Sequence, residues 1–157
     1  MKRNLDAVDL KLLEMLQRDA ETPLSELAEA VHLSSTPCWR RIQRLKESGV
    51  ITRQVALLDP RKINLKVTAF VAIKTNQHNP QWFQALRDAV RDIPEVVEFY
   101  RMSGDVDYLL RVVVPDIAGY DSVYQRLINA VGLSDVSSSF AMEELKFTTA
   151  LPLSYAT

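Results

Sequence analysis

Basic and amide side chains recur on one side of the segment LSSTPCWRRIQRLKESGVI, which runs from Leu33 to Ile51. At about 100° per residue of an α-helix, Cys38, Ile42 and Leu45 form an apolar stripe, and the opposite side carries no acid. That side, together with the start of the helix, comprises Ser35, Thr36, Trp39, Arg40, Gln43 and Arg44. Guanidinium and amide groups have the forked geometry that matches guanine and adenine edges, and positive charge attracts phosphates. The pattern favours a helix that binds duplex DNA; a solvated basic helix is the alternative.

The segment from Ser103 to Asp107 offers a second kind of chemistry. A turn at Gly104 presents backbone N–H groups, and Asp105 and Asp107 add two carboxylates. Such a turn can hold a free amino acid, because N–H groups bind its carboxylate and an acid binds its ammonium group. The neighbouring side chains, which suit a leucine- or methionine-like ligand, are Tyr100, Met102, Val106 and Leu109. The alternative is a plain turn with solvated aspartates.

Two further helices are expected to support the basic helix. The first begins at Asp6, which is a good N-cap residue, and ends at about Asp19. The second is opened by Thr22-Pro23, and only a short turn around His32-Leu33 separates it from the basic helix. Two short helices joined by a tight turn, the second of them basic, predict a helix-turn-helix.

The ends of the basic helix are marked by residue type. Ser34 or Ser35 can serve as N-cap, Pro37 fits only the first turn, and Gly49 suits a left-handed C-cap. Residues 50–58 alternate enough to form a short strand or wing. Asp59-Pro60 breaks that pattern, so residues 59–66 are interpreted as a hinge.

From Val67 onward the periodicity becomes that of strands separated by two helices. Strands are predicted at residues 67–74, 96–102, 107–114 and 136–146, and helices open at Asn79-Pro80 and Pro115-Asp116. The order βαββαβ is that of a ferredoxin-like domain, whose two helices cover one face of an antiparallel sheet. The second helix is expected to bury Ile117, Tyr120, Tyr124, Leu127 and Val131. The open face would carry Phe70, Tyr100 or Leu110, depending on register, and needs a partner subunit to cover it.

Composition narrows the function classes. The chain has 157 residues, 47% hydrophobic and 25% charged, with no run of eighteen apolar residues and no signal-peptide pattern, so a cytoplasmic protein without a membrane partner is expected. One cysteine excludes an internal disulfide, and His32 and His78 are too far apart to suggest a metal cluster. The net charge is −1, yet residues 34–53 carry five basic residues against one acid, Glu47. No glycine-rich phosphate loop or catalytic motif occurs, so no catalytic residue and no cofactor are predicted.

Three segments carry a resemblance to a known family: LDAVDLKLLEMLQRDA, LSELAEAVHLSSTPCWRRIQRLKESGVI and SGDVDYLLRVVVPD. With the spacing between them, they make nearly the whole chain similar to the Lrp/AsnC (leucine-responsive/asparagine-type) bacterial transcription regulators. The resemblance implies a DNA-binding domain over residues 1–58, a hinge over 59–66, and an effector-binding and oligomerisation domain over 67–157. It also implies a homodimer that assembles further, to octamers, and a hinge-region strand that pairs with its mate across the dimer.

The resemblance also implies an effector pocket between subunits. Its residues would be Tyr100, Met102, Gly104, Asp105 and Asp107, with Ser137 and Ser139 of the last strand as the opposing wall. The resulting interpretation is an α+β, amino-acid-responsive transcription regulator that binds double-stranded DNA and is not an enzyme. One alternative is a ligand-indifferent architectural DNA-binding protein that bends or wraps DNA. The alternative from another class is a small metabolic enzyme on a ferredoxin-like fold.

Overall fold

The computed structural model of the protein describes residues 5–76, 79–133 and 135–156, and the chain divides into two compact units. The first unit contains residues up to Ala56 and those from Lys146 onward, and the second contains Leu57–Leu145. His78, one of the two histidines of the chain, lies outside the described residues.

The first unit is built from three helices: α1 (Ala7–Arg18), α2 (Leu24–Ala30) and α3 (Ser35–Glu47). Their apolar stripes form one small core whose buried members are Leu12, Leu27, Ala28, Val31, Cys38 and Ile42. Cys38 is fully buried and acts as a small apolar side chain there. The predicted helix-turn-helix is therefore confirmed, and the core leaves the opposite side of α3 exposed.

The predicted cap residues lie at the ends of α1 and α3, and one of them makes no capping hydrogen bond. Asp6 caps α1 by accepting from the Asp9 N–H at 2.9 Å, and Asp9 accepts in return from the Asp6 N–H at 3.3 Å, which completes a capping box. Gly49, at φ +76°, follows the end of α3 as predicted. Ser34 is the N-cap residue of α3, but its side chain makes no capping hydrogen bond.

The predicted strand or wing at residues 50–58 does not form in the single chain. Strand formation requires a neighbouring backbone to accept and donate hydrogen bonds, and alternation alone cannot supply one. Its apolar residues are instead exposed: Val55 at 59%, Leu57 at 62% and Leu58 at 68%. A 3₁₀ turn, Pro60–Ile63, follows within the predicted hinge.

The second unit has the predicted βαββαβ order. Its elements are β1 (Val67–Lys74), α4 (Pro80–Arg91), β2 (Val96–Arg101), β3 (Tyr108–Val114), α5 (Ile117–Val131) and β4 (Asp135–Phe140). The strands form one antiparallel sheet in the order β2-β3-β1-β4. Its buried face packs on α4 and α5 through side chains such as Val71, Leu110, Leu86 and Leu127. The ferredoxin-like fold is confirmed.

Three details differ from the sequence-based expectation. Leu110 is fully buried against the helices, because its register partners Phe99 and Val71 also face them. Ile117, in the first turn of α5, is 58% exposed. Strand β4 ends at Phe140 rather than at residue 146, because β1, the strand with which it pairs, begins at Val67.

The last segment of the chain belongs with the helices rather than with the sheet. Gln17 of α1 donates from Nε2 to the Leu151 carbonyl at 3.2 Å and accepts from the Leu151 N–H at 2.6 Å. The Gln17 amide can make both bonds because it carries N–H donors and a carbonyl acceptor. The compact units thus divide between Ala56 and Leu57 and between Leu145 and Lys146, and the extent of the functional domains stays a prediction.

Candidate DNA-binding helix and effector hairpin

The free side of α3 carries most of the residues that the sequence singled out. Ser35, Thr36 and Arg40 are exposed, Trp39 is 51% exposed and Gln43 is half-buried. None of these five side chains has a hydrogen bond or ion pair to another described residue. They lie within two and a half turns of one another on a helix held by its apolar stripe. This arrangement presents one guanidinium, one amide, one indole and two hydroxyls from a rigid element.

Arg44, unlike the five residues above, is hydrogen-bonded to another residue of the chain. Its Nη2 donates to both carboxylate oxygens of Asp9, at 2.8 and 2.6 Å, and the Asp9 side chain is 1% exposed. Arg41 donates from Nη1 to the same carboxylate at 3.0 Å and to Asp6 at 2.5 Å. Two arginines of α3 are thus tied to the start of α1. A buried carboxylate requires such partners, because burial removes the water molecules that would otherwise stabilise its charge.

This α1–α3 ion cluster is missed when each helix of the sequence is considered alone. Asp9 lies one turn from Leu5 and Leu13, which places an acid next to apolar positions of α1. That placement is the sequence signal for a buried carboxylate, but it does not identify the arginine partners. The Arg41 guanidinium holds the pKa of Asp6 below its usual value, and the Asp9 N–H adds to the effect. Asp6 in turn raises the pKa of Arg41.

The hairpin between β2 and β3 is closed by Asp107. Its carbonyl accepts from the Met102 N–H at 2.8 Å, and its own N–H donates to the Ile73 carbonyl at 3.0 Å. One carboxylate oxygen of Asp107 accepts from the Thr75 N–H at 2.8 Å. Asp107 therefore fixes the loop to the end of β1, a role that the sequence did not reveal.

The tip of the hairpin is open to solvent. Gly104 has φ +110°, a backbone conformation that side-chain-bearing residues rarely adopt. Apart from Gly104 and its two neighbours in the chain, no described residue has an atom within 4 Å of the place where a Cβ would stand. Asp105 and Met102 are exposed beside it. The tip thus combines free space, a carboxylate and an apolar side chain.

The register of the sheet places the two serines on its open face. Tyr100, Leu109, Ala72 and Ser137 form one row across the four strands. Ser139 lies opposite Phe70 on the same face, whereas the Ser138 hydroxyl is hydrogen-bonded to Tyr120 on the helix side. However, β2 and β4 are opposite edges of the sheet, three strand spacings or roughly 14 Å apart. The serine wall and Tyr100 therefore do not line one small pocket within a single chain.

Charged groups also lie on this open face. Arg111 donates from Nη2 to Glu98 at 2.6 Å, and the Tyr100 hydroxyl donates to the other oxygen of Glu98 at 3.2 Å. Arg111 lowers the pKa of Glu98, and Glu98 raises the pKa of Tyr100. The Tyr100 hydroxyl thus points toward the start of β2, away from the hairpin tip. Phe70, 40% exposed, is the large apolar group beside this pair.

A helix-turn-helix unit with a basic exposed helix and a separate ferredoxin-like unit with an open hairpin define a class of two-domain transcription regulators. The comparisons agree with this class along most of the chain. The AsnC-type helix-turn-helix domain matches residues 5–46, and the Lrp/AsnC ligand binding domain matches residues 68–151. The chain belongs to the Lrp/AsnC family.

Individual relatives are similar over nearly their full length. The DNA-binding transcriptional activator DecR of Escherichia coli K12 is 53% identical over 150 residues, which is 95% of this chain and 99% of DecR. The crystal structure of an AsnC family transcriptional regulator from Agrobacterium tumefaciens has a TM-score of 0.91 and 59% identity, covering 96% of this chain and 98% of that one. A transcriptional regulator from Neisseria meningitidis in complex with L-Met has a TM-score of 0.92 and 34% identity, covering 98% and 99%.

Membrane spans and metal clusters are both absent from the described part of the chain. None of the helices in residues 5–76, 79–133 and 135–156 combines the length and apolarity needed to span a bilayer. Within the same ranges, no three histidine, cysteine or acidic side chains are grouped closely enough to hold a metal ion.

Proposed function

We propose that this chain is an amino-acid-responsive transcription regulator that reads duplex DNA with α3. The observation that carries the proposal is the free face of α3, on which Arg40 and Gln43 are unpaired among the described residues while Arg41 and Arg44 are tied to α1. Arg40 and Gln43 are the base-reading candidates, because both have forked donors on one rigid helix. Ser35, Thr36 and Trp39 are assigned to the sugar-phosphate backbone or to thymine methyl groups.

Arg44 has a supporting role in this proposal. Its bonds to Asp9 stabilise the packing of α3 on α1, and it reads no base. The start of α3 adds backbone N–H groups that the Ser34 side chain does not cap, and these suit a phosphate.

The test is selection of binding sites from a library of random duplexes with the wild-type chain, Arg40→Ala and Gln43→Ala. Each variant is expected to lose roughly 1–3 kcal/mol of discrimination at one base position, which is the usual magnitude for a bidentate contact. Uniform loss at all sequences would reassign the residue to phosphate contact. A wild-type chain that binds no duplex would overturn the proposal.

Arg44→Ala is the matched control, since it removes the same charge from the same helix. It is expected to leave the selected sequence unchanged and to lower the stability of the first unit, because it removes a charged partner from a buried carboxylate. A change in sequence preference with unchanged stability would return Arg44 to the base-reading set.

We further propose that the effector is a free amino acid with an apolar side chain, such as leucine or methionine, held at the hairpin. Gly104 and Asp105 contact its backbone groups, Met102 and Tyr100 its side chain, and Asp107 positions the loop through Thr75. Ser137 and Ser139 contribute from a second subunit, because within one chain they lie at the far edge of the sheet. The L-Met complex of the related Neisseria meningitidis regulator supports this ligand class.

A thermal-shift screen of the common amino acids tests the effector, since a ligand at 100 times its Kd adds about 2.7 kcal/mol to the stability of the folded state. Asp107→Asn keeps an oxygen that can accept from the Thr75 N–H but removes the charge, whereas Asp107→Ala removes both. If only Asp107→Ala loses the thermal shift, Asp107 positions the loop. If both variants lose it, the Asp107 carboxylate binds the ammonium group of the amino acid. The absence of any shift, with DNA binding unaffected by all amino acids, favours the ligand-indifferent architectural alternative.

A further inference from the structure

A second basic surface follows the helix-turn-helix, and we call its three residues, Arg61, Lys62 and Lys66, the basic turn. It is a folded element rather than a loose hinge. The Leu65 N–H donates to the Pro60 carbonyl at 2.8 Å, and Asn64 takes a left-handed conformation with φ +65° to close the turn. Lys66 comes directly before β1.

The charge of the basic turn is uncompensated. All three side chains are exposed and make no ion pair with any residue that the structure describes. Asp59 is the one acid in residues 53–66, and its carboxylate accepts from the Arg61 N–H at 3.0 Å as the cap of the turn. Elsewhere many exposed cations are paired, as Arg18 is with Glu14, Arg91 with Asp88 and Arg126 with Glu95.

The basic turn continues a longer positive stretch. Residues 35–66 contain eight basic residues against two acids, although the whole chain has a net charge of −1. The remainder of the chain is therefore acidic, and basic residues are concentrated in this part of the sequence.

We propose that the basic turn is a second DNA-contacting surface, which binds phosphates of duplex DNA. This inference rests on the proposed function. Two lysines and one arginine on an exposed turn neutralise phosphates as point charges and release counterions, so they add affinity but no sequence preference.

The experiment measures how binding to a random-sequence duplex of about 60 base pairs, roughly six helical turns, depends on salt concentration. The full chain carries Arg61→Gln, Lys62→Gln and Lys66→Gln together, and no amino acid is added. The slope of log K against log salt is expected to become shallower by about 0.9 for each phosphate that the variant no longer neutralises.

A matched pair of single variants separates direct phosphate binding from general charge. Lys66 directly precedes β1 and Lys74 is its last residue; both are exposed, and they lie roughly 25 Å apart at 3.3 Å per residue. Lys66→Gln is expected to reduce the slope by about 0.9, and Lys74→Gln to leave it at the wild-type value. Circular dichroism of each variant checks that the fold is retained.

Two results would overturn the inference: a triple variant with the wild-type slope, or Lys66→Gln and Lys74→Gln with equal effects. Either result leaves the proposed function standing if Arg40→Ala still changes the selected sequence. Failure of the wild-type chain to bind any duplex removes both proposals together.

Discussion

For single residues, the neighbouring side chains decide whether a residue of a given type is available to bind a ligand. Arg40 and Arg44 are four positions apart on α3, yet Arg40 is free among the described residues and Arg44 holds a buried carboxylate. Asp105 and Asp107 differ in the same way, since Asp105 is exposed and Asp107 caps the Thr75 N–H. In both pairs one residue stabilises the structure and leaves the other available for a ligand.

Asp6 gives the residue-scale prediction, which concerns pH. Its pKa is below the ordinary 3.8 in the folded chain, chiefly because Arg41 donates to it. The folded state therefore binds a proton more weakly than the unfolded state, and the stabilisation is present above pH 3.8 and is lost as pH falls through the folded pKa. Urea unfolding from neutral pH to about pH 3 is expected to show a smaller acid-induced decrease in stability for Asp6→Asn than for the wild type.

The measurement can be confined to the first unit. The chain has two tryptophans, so Trp82→Phe leaves Trp39 of α3 as the reporter. Glu21→Gln is the control, since Glu21 is exposed and lies outside the α1–α3 ion cluster. An equal decrease in wild type and Asp6→Asn would mean that the Arg41 bond adds nothing to stability.

At the scale of elements, the tight turn of the helix-turn-helix depends on an unusual backbone conformation. His32 has φ +54°, and the turn is closed by its N–H, which donates to the Glu29 carbonyl at 3.0 Å, and by the Leu33 N–H, which donates to the Ala28 carbonyl at 2.9 Å. Left-handed backbone costs a side-chain-bearing residue roughly 1–2 kcal/mol, mainly through its Cβ. The sequence marks the turn only weakly, since no glycine stands there.

The element-scale prediction follows from this strain. His32→Gly is expected to hold or raise the free energy of unfolding of the first unit, by up to about 1 kcal/mol, because the Cβ cost disappears. His32→Val is expected to lower it by about 1–2 kcal/mol, because a β-branched residue tolerates this conformation least. Urea unfolding followed by Trp39 measures both. A valine variant more stable than the glycine variant would contradict the assigned geometry.

At the scale of the whole molecule, two surfaces of the single chain are incomplete. The open face of the sheet exposes Phe70 and Tyr100, and residues 55–58 expose a run of apolar side chains outside any strand or helix. A helix-turn-helix pair must also be held about one DNA turn apart, roughly 34 Å or a multiple of it. We therefore expect a dimer at least, and larger closed assemblies such as octamers.

Dimer formation through the open face can be tested with one substitution on that face and one on the helix side of the sheet. Phe70→Asp is expected to yield monomer at micromolar concentration in sedimentation velocity, because it places a charge on the central strand of the open face. Ile117→Asp, on the exposed first turn of α5, is expected to leave the dimer intact and suits the positive end of that helix. A wild-type monomer at that concentration would contradict the interpretation of both surfaces.

The five helices, the four strands of the sheet, the family and the exposed face of α3 could be predicted from the sequence alone. Apolar spacing, cap residues such as Asp6 and Asn79, and the strand–helix order act over a few residues, so each segment carries its own signal. Likewise, the exposed positions of Trp39 and Arg40 follow from helical periodicity alone.

Which of the predicted site residues are free to bind a ligand depends on tertiary contacts. The Arg44–Asp9 pair joins positions 35 apart, the Asp107–Thr75 bond joins positions 32 apart, and the Gln17–Leu151 bonds join positions 134 apart. The burial of Leu110 and the placement of Ser137 and Ser139 at the far edge depend on strand order and register. None of these has a local pattern, because each depends on which elements pack together. Residues 50–58 form no strand for the same reason, since no described strand of the same chain pairs with them.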